Sequence, residues 1–275
     1  MPLTPPASLR AALASPAAIL GGGVSGEGVR ALLAALGAEG VVYDARGADF
    51  TAAVARRHAL VVYSPGFAPE HPWLARARAA GAECLGELDF ASLLWRGRLI
   101  AVTGTNGKTT LTEFLTHALG GLGRSAQATG NIGHPFSRLV AEKRGGVRDM
   151  FAVCEVSSFQ AETLRHFRAD ATLWTNFAED HLERHAGLES YFAAKWQLVV
   201  QTRAGGGVFI DMADTTFEYV DTPGAATRST SRAVTLLSAA TTKEHLDGLG
   251  RVGGLDDDGL EAALERGVLL DVLAV

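Results

Sequence analysis

At 275 residues the chain exceeds the roughly 150 that one core usually occupies, so two domains are expected. Hydrophobic residues are 47% and charged residues 20%, and the formal net charge of -5 leaves no basic field for nucleic acid. Two cysteines, Cys84 and Cys154, cannot organise a fold of this size through disulfides, which suits a reducing compartment. The start, "MPLTPPASLRAALASP", lacks an apolar signal core, and no later stretch reaches the roughly 18 apolar residues of a membrane span. A cytoplasmic protein without membrane insertion is the expectation.

Residues 17–20 are a short apolar run that ends in "GGGVSGEG". "VRALLAALG" follows with helical spacing, and "VVYD" closes a strand–turn–helix–strand unit. "HALVVYSPG" repeats the strand-then-turn signal, "HPWLARARAAG" predicts a helix, and "AECLGELDF" opens with a strand. Gly21, Gly23 and Gly26 spell G-x-G-x-x-G, with Asp44 at the end of the next strand. That arrangement binds the diphosphate of a nucleotide without saying which one. The "SPG" turn, Ser64 to Gly66, is placed to supply amides to the same ligand.

"WRGRL" is a polar interruption, so a boundary is set near Arg96, giving domains 1–96 and 97–275. The expected fold is α/β, an N-terminal Rossmann-like parallel-sheet domain followed by a P-loop ATPase-type central α/β domain. "LIAV" leads into "TGTNGKTT" and then into a helical repeat of Leu111, Phe114, Leu115, Ala118 and Leu119. The general phosphate-loop pattern places a glycine where Val102 stands. The nearer glycine is Gly104, so this is a loop two residues shorter, with amides from Gly104 to Lys108 at a helix N-terminus. Lys108 adds a charge there, and Thr109 a hydroxyl suited to Mg2+.

"MFAVCEVSSFQ" and "ATLWTNF" are further apolar runs with polar ends, as buried parallel strands have. Glu155 is placed to hold Mg2+ on bound phosphates, or is an ordinary edge acid. "NFAEDHLERH" packs Asn176, Glu179, Asp180, His181, Glu183 and His185 together, as a metal or substrate site or as a solvated loop. Lys195 falls in the middle of an apolar helical stripe in "LESYFAAKWQLVV", so it either snorkels or is chemically altered. From about residue 205 the signal weakens: "GGGVFIDMAD" reads as one more strand, and only the last stretch offers a short amphipathic helix.

Assembled, "GTNGKTT", "GNIG" (130–133), "EVSSFQ" and "NFAEDHLERH" resemble the Mur ligases, over roughly residues 15–205. The Phe-Gln after the paired serines and the glycine-rich start with "SPG" resemble most the member that adds D-glutamate. The resemblance implies an ATP-dependent, amide-forming ligase of peptidoglycan synthesis. Its substrates would be UDP-N-acetylmuramoyl-L-alanine and D-glutamate, with ATP and two Mg2+ ions.

By the same resemblance Gly104, Thr105, Asn106, Gly107, Lys108, Thr109 and Thr110 bind ATP. Ser25, Gly26, Asp44, Arg46, Ser64, Pro65 and Gly66 hold the uridine diphosphate, Asn131 and His181 contact the muramoyl part, and Ser157 and Gln160 are also substrate-binding. Lys108, His181 and Lys195 are catalytic; Thr109, Glu155, His181 and a carbamylated Lys195 hold metal. The resemblance also implies a C-terminal glutamate-binding domain that does not appear in these 275 residues, and no Gly-x-His-Asn element follows Lys195. A truncated gene product, a separate polypeptide supplying that domain, and a degenerate relative that binds nucleotide or UDP-sugar without autonomous catalysis are the alternatives. A dehydrogenase reading of the glycine motif leaves "GTNGKTT" unexplained.

Overall fold

A computed structural model describes residues 3–211 apart from 46, 48 and 182, together with 234–237. The terminal amphipathic helix expected from sequence lies outside the described residues.

The first strands are β1 (Ala17–Leu20), β2 (Gly40–Tyr43), β3 (Leu60–Tyr63) and β4 (Glu83–Gly86), paired in parallel in the order β2-β1-β3-β4. Between and after them run α1 (Ala7–Arg10, ahead of β1), α2 (Val24–Ala35), α3 (Ala52–Ala55), α4 (Pro72–Ala79) and α5 (Glu87–Ser92). The second sheet comprises β5 (Arg98–Thr103), β6 (Ser125–Gly130), β7 (Met150–Glu155), β8 (Ala169–Trp174), β9 (Thr202–Asp211) and β10 (Val234–Leu237). Its order is β10-β9-β8-β5-β7-β6, again all parallel. The helices of this part are α6 (Lys108–Gly121), α7 (Phe136–Glu142), α8 (Ser158–Ala161) and α9 (Leu188–Val200).

Alternation along β1 sends Ala18 and Leu20 to one face, where they meet Tyr43, Phe50, Val61 and Tyr63. Ala17 and Ile19 face the other way, into a core that continues through α2, α5 and α7 to Leu99 and Ala101 of β5. One apolar cluster therefore joins the two sheets. On the opposite face of β5, Ile100 and Val102 pack on Leu115 and Leu119 of α6, the helix that starts at Lys108.

Two buried acids of α5 reinforce that junction. Asp89 accepts the backbone N–H groups of Arg165 (2.8 Å), His166 (3.0 Å) and Phe167 (2.9 Å), ahead of β8. Glu87 accepts the N–H of Ser137 at the start of α7 (2.6 Å), while its Oε2 and the Ser137 hydroxyl have no hydrogen-bond partner. Burial raises the Glu87 carboxyl above its ordinary range, with the nearby Ser137 hydroxyl and then the Ser137 amide opposing. A carboxyl raised in the folded state contributes stability that is complete below its unfolded value, about 4.3, and lost as pH rises through the folded value. Glu87→Gln keeps the acceptor and supplies an N–H for the Ser137 hydroxyl. Urea unfolding across pH is expected to show the variant gaining on the wild type above about pH 4.3 and running parallel below it. A difference that does not change with pH would refute this.

Candidate functional site

The site lies at the carboxyl ends of the parallel strands, where turns leave the sheet and helices begin. The loop 104–107 leaves β5 and enters α6 at Lys108. Gly104 has φ +147°, and a Cβ there would stand 1.9 Å from Thr175 Oγ1, so backbone freedom and lack of bulk are both required.

Thr175 and Asn176, just past β8, hold the loop from the side. Thr175 Oγ1 donates to Asn106 O (2.6 Å), and its N–H donates to Thr103 O (2.9 Å). The Asn176 side chain accepts the Asn106 N–H (2.9 Å) and donates back to the Asn106 carbonyl (3.1 Å). Thr105 N–H donates to Asn176 O (3.1 Å), and the Thr105 hydroxyl donates to Ala178 O (3.1 Å) while accepting the Ala178 N–H (3.0 Å). The loop is thus shaped by the neighbouring strand.

Two lysines converge on one carbonyl. Lys108 Nζ donates to Gly104 O (3.0 Å) and Thr105 O (2.7 Å), and Lys195 Nζ donates to the same Gly104 O (2.7 Å). Lys195 is 1% exposed and does not snorkel; its ammonium sits 4.7 Å from the centroid of the Tyr191 ring. Burial, followed by the charge of Lys108, lowers its pKa from 10.5 to about 7, with Asp180 opposing. A good part of this lysine is a neutral amine at physiological pH.

Glu155 closes the other side of the loop. Only 2% exposed, it accepts the Thr109 hydroxyl on Oε2 (2.7 Å) and the Asn131 side-chain amide on Oε1 (3.1 Å). A carboxylate beside a hydroxyl at a phosphate loop is an all-oxygen set, and it fits Mg2+. The side of His181 fits differently. Its ring pairs with Asp180 (3.4 Å) and Glu183 (3.3 Å), and its φ of +54° is the left-handed conformation. No three His, Cys, Asp or Glu side chains among the described residues form a metal cluster, and Lys195 as a cation cannot ligate. A second ion there needs the lysine to become an anion.

Ser157 and Gln160 are bonded to each other. Ser157 N–H donates to Gln160 Oε1 (3.0 Å) and Gln160 N–H to Ser157 Oγ (3.3 Å), capping α8. Phe159, between them, meets the His181 ring at a tilt of 52° with centroids 4.9 Å apart.

The glycine-rich turn after β1 gathers most of the other candidates. A Cβ on Gly26 would meet Gly21 O at 1.9 Å, so α2, with Ser25 in its first turn, starts directly against the end of β1. The Ser64 hydroxyl stands 2.8 Å and the Asp44 carboxylate 2.6 Å from where Cβ atoms on Gly21 and Gly22 would be. Pro65 and Gly66 make the following turn, closed by Phe67 N–H on Ser64 O (3.0 Å). Arg46 lies outside the described residues. Sequence reasoning missed Thr175 and gave Asn176 no role; the available signal was a Thr-Asn pair at the end of an apolar strand.

The chain matches the Mur ligase middle domain family over residues 102–249. It is 37% identical over 207 residues to the UDP-N-acetylmuramoylalanine–D-glutamate ligase of Gloeobacter violaceus, covering 68% of this chain and 46% of that protein. To the protein of the same name from Aquifex aeolicus it is 36% identical over 212 residues, covering 76% and 49%. The chain thus spans about half the length of these relatives. Among solved structures, the UDP-N-acetylmuramate:L-alanyl-gamma-D-glutamyl-meso-diaminopimelate ligase of Neisseria meningitides superposes with a TM-score of 0.50 at 16% identity, covering 72% of this chain and 71% of that one. That likeness concerns the fold alone.

Lys195 generates a prediction that needs no ligand. A lysine whose folded pKa is depressed penalises folding in full below about pH 7, and the penalty fades toward the unfolded value of 10.5. In CO2-free buffer, the stability advantage of Lys195→Met over wild type is expected to shrink by about 1.4 kcal/mol per pH unit between those limits. A constant difference in chemical denaturation would refute the depressed pKa.

Proposed function

The chain belongs to the Mur ligase family, and from that premise we propose that it serves an ATP-dependent ligase joining D-glutamate to UDP-N-acetylmuramoyl-L-alanine in peptidoglycan synthesis. The observation that carries this reading is the loop 104–110, fixed at the end of β5 with Lys108, Thr109 and Glu155 around it. The printed names of the 33–42% identical relatives supply the substrates. Such a reaction belongs in the cytoplasm, where ATP and nucleotide-linked sugars are held.

The division of labour follows the two sheets. The turn after β1, with Ser25, Gly26, Asp44 and Ser64 to Gly66, holds the uridine diphosphate, and Arg46 belongs to the same set. The N-terminus of α2 and its free amides suit a diphosphate. Residues 97 onward form the ATP unit, with Gly104 to Thr110 around the phosphates.

The substrate carboxylate attacks the γ-phosphorus of ATP, ADP leaves and an acyl phosphate forms. Two anions must meet for this, so positive charge and aimed N–H groups are the main requirement. Lys108 supplies that charge, and the loop backbone is held in shape by Thr175 and Asn176. Mg2+, when bound, adds charge neutralisation; Thr109 and Glu155 would hold one ion, and His181 with a carbamylated Lys195 a second. The neutral amine of D-glutamate then attacks the acyl carbon, phosphate departs, and the nitrogen loses a proton to leave an amide. Asn131 and His181 orient the muramoyl part, and Ser157 and Gln160 fix the turn beside it.

Lys195 is prepared for carbamylation. Its neutral amine attacks CO2, a C–N bond forms and a proton leaves, turning a buried cation into an anionic oxygen ligand.

Phosphate release from ATP by this chain is expected only with UDP-N-acetylmuramoyl-L-alanine, D-glutamate and Mg2+ all present. Lys108→Ala is expected to lower kcat by about 100-fold or more. ATP hydrolysis indifferent to D-glutamate would overturn the reading. Calorimetric binding of ATP or the UDP substrate without turnover would favour the binding relative, and no binding of either would reject both.

A further inference from the structure

The amino ends of the second sheet's strands carry a separate concentration of charge. Arg96, Arg98, Arg148 and Arg203 line one pocket of about 370 Å3, with Gly97. In sheet order β9-β8-β5-β7, Arg203 begins β9, Asp170 lies at the start of β8, Arg98 begins β5, and Arg148 precedes β7. Neighbouring parallel strands are about 4.8 Å apart, so their starts place these groups side by side. The phosphate loop leaves the opposite end of β5, five residues or about 17 Å along the strand.

Most of the cluster is held in place. Asp170, 4% exposed, accepts Leu99 N–H (2.7 Å) on Oδ2 and pairs through Oδ1 with Arg203 (2.8 Å) and Arg98 (3.7 Å). Arg96 donates from Nη2 to Arg144 O (2.6 Å) at the end of α7. Each guanidinium has five N–H donors, and these contacts use few of them. Asp170 offsets one of the four charges, which leaves a formal excess of three in a protein whose net charge is -5. Asp149, beside Arg148 in sequence, does not line the pocket.

We propose that this arginine pocket is a second anion site, which takes a soluble diphosphate or the diphosphate group of a nucleotide. Planar guanidinium forks pair two-to-two with phosphate oxygens, and several of them fixed around one space select a multivalent anion over a single carboxylate. The pocket is as large as a nucleotide's phosphates need and lies away from the phosphate loop. The assignment does not rest on the ligase reading.

Calorimetric titration of the Lys108→Ala protein with inorganic diphosphate, in metal-free, low-salt buffer, separates the two sites. Binding is expected to persist in that background. Adding Arg148→Glu is expected to weaken it at least tenfold, and Arg148→Gln by less. Arg148 is on an exposed turn, and an unchanged Tm is the check that both variants fold. Raising ionic strength is expected to weaken the binding in parallel. Loss of all binding with Lys108→Ala alone, or binding that neither Arg148 variant alters, would overturn the site. So would an Arg148 effect on anionic phosphatidylglycerol vesicles but not on diphosphate.

Discussion

The edge formed by the carboxyl ends of β5 and β8 depends on how closely Gly104 approaches Thr175. β5 and β8 are direct neighbours, and the loop leaving β5 turns across the end of β8 with no room for a side chain between them. That contact lets Thr175 and Asn176 engage both the N–H and the carbonyl of Asn106. The loop backbone is therefore fixed by protein groups, with the Thr105 and Asn106 N–H groups both engaged by Asn176.

Charge at this edge follows from the same contact. The Gly104 carbonyl, held in place by its strand, accepts hydrogen bonds from Lys108 and Lys195 together. Two ammonium groups sharing an acceptor repel, and burial among Tyr191 and its aromatic neighbours Phe177 and Trp174 makes the second charge costly. Lys195 yields because it is the more buried of the two. Lys108 lies at the mouth of the loop, where it also donates to the Thr105 carbonyl. The stripe that made Lys195 anomalous in the sequence is thus the reason its pKa is depressed.

Local signals were legible and distant ones were not. β1 could be bounded from its apolar run and glycines, and the helix after "GKTT" from its spacing, because both are properties of a short stretch. Lys195 was legible as an exception to its own pattern. α5 was missed: its six residues are too few for a period, and Glu87 and Asp89 look like surface acids until residues 50 to 78 positions away fold onto them. Thr175 acquires meaning only from Gly104 across the sheet. The side chains of Ser157 and Gln160 bond to each other at three-residue spacing, a capping signal that the sequence did contain.

The junction between the two sheets fixes the distance between the turns at their carboxyl ends. A continuous apolar core runs from Ile19 to Leu99, and Trp95 meets Phe136 edge-on at 5.7 Å. Asp89 ties α5 to three consecutive amides ahead of β8. Sliding the sheets would expose apolar surface and strand a buried carboxylate, each a cost of several kcal/mol. The turn after β1 and the loop after β5 are consequently held at one separation. Under the proposed ligase reading, a substrate that reaches both would have to match that separation between its diphosphate and its reacting carboxylate, so the junction would work as a ruler.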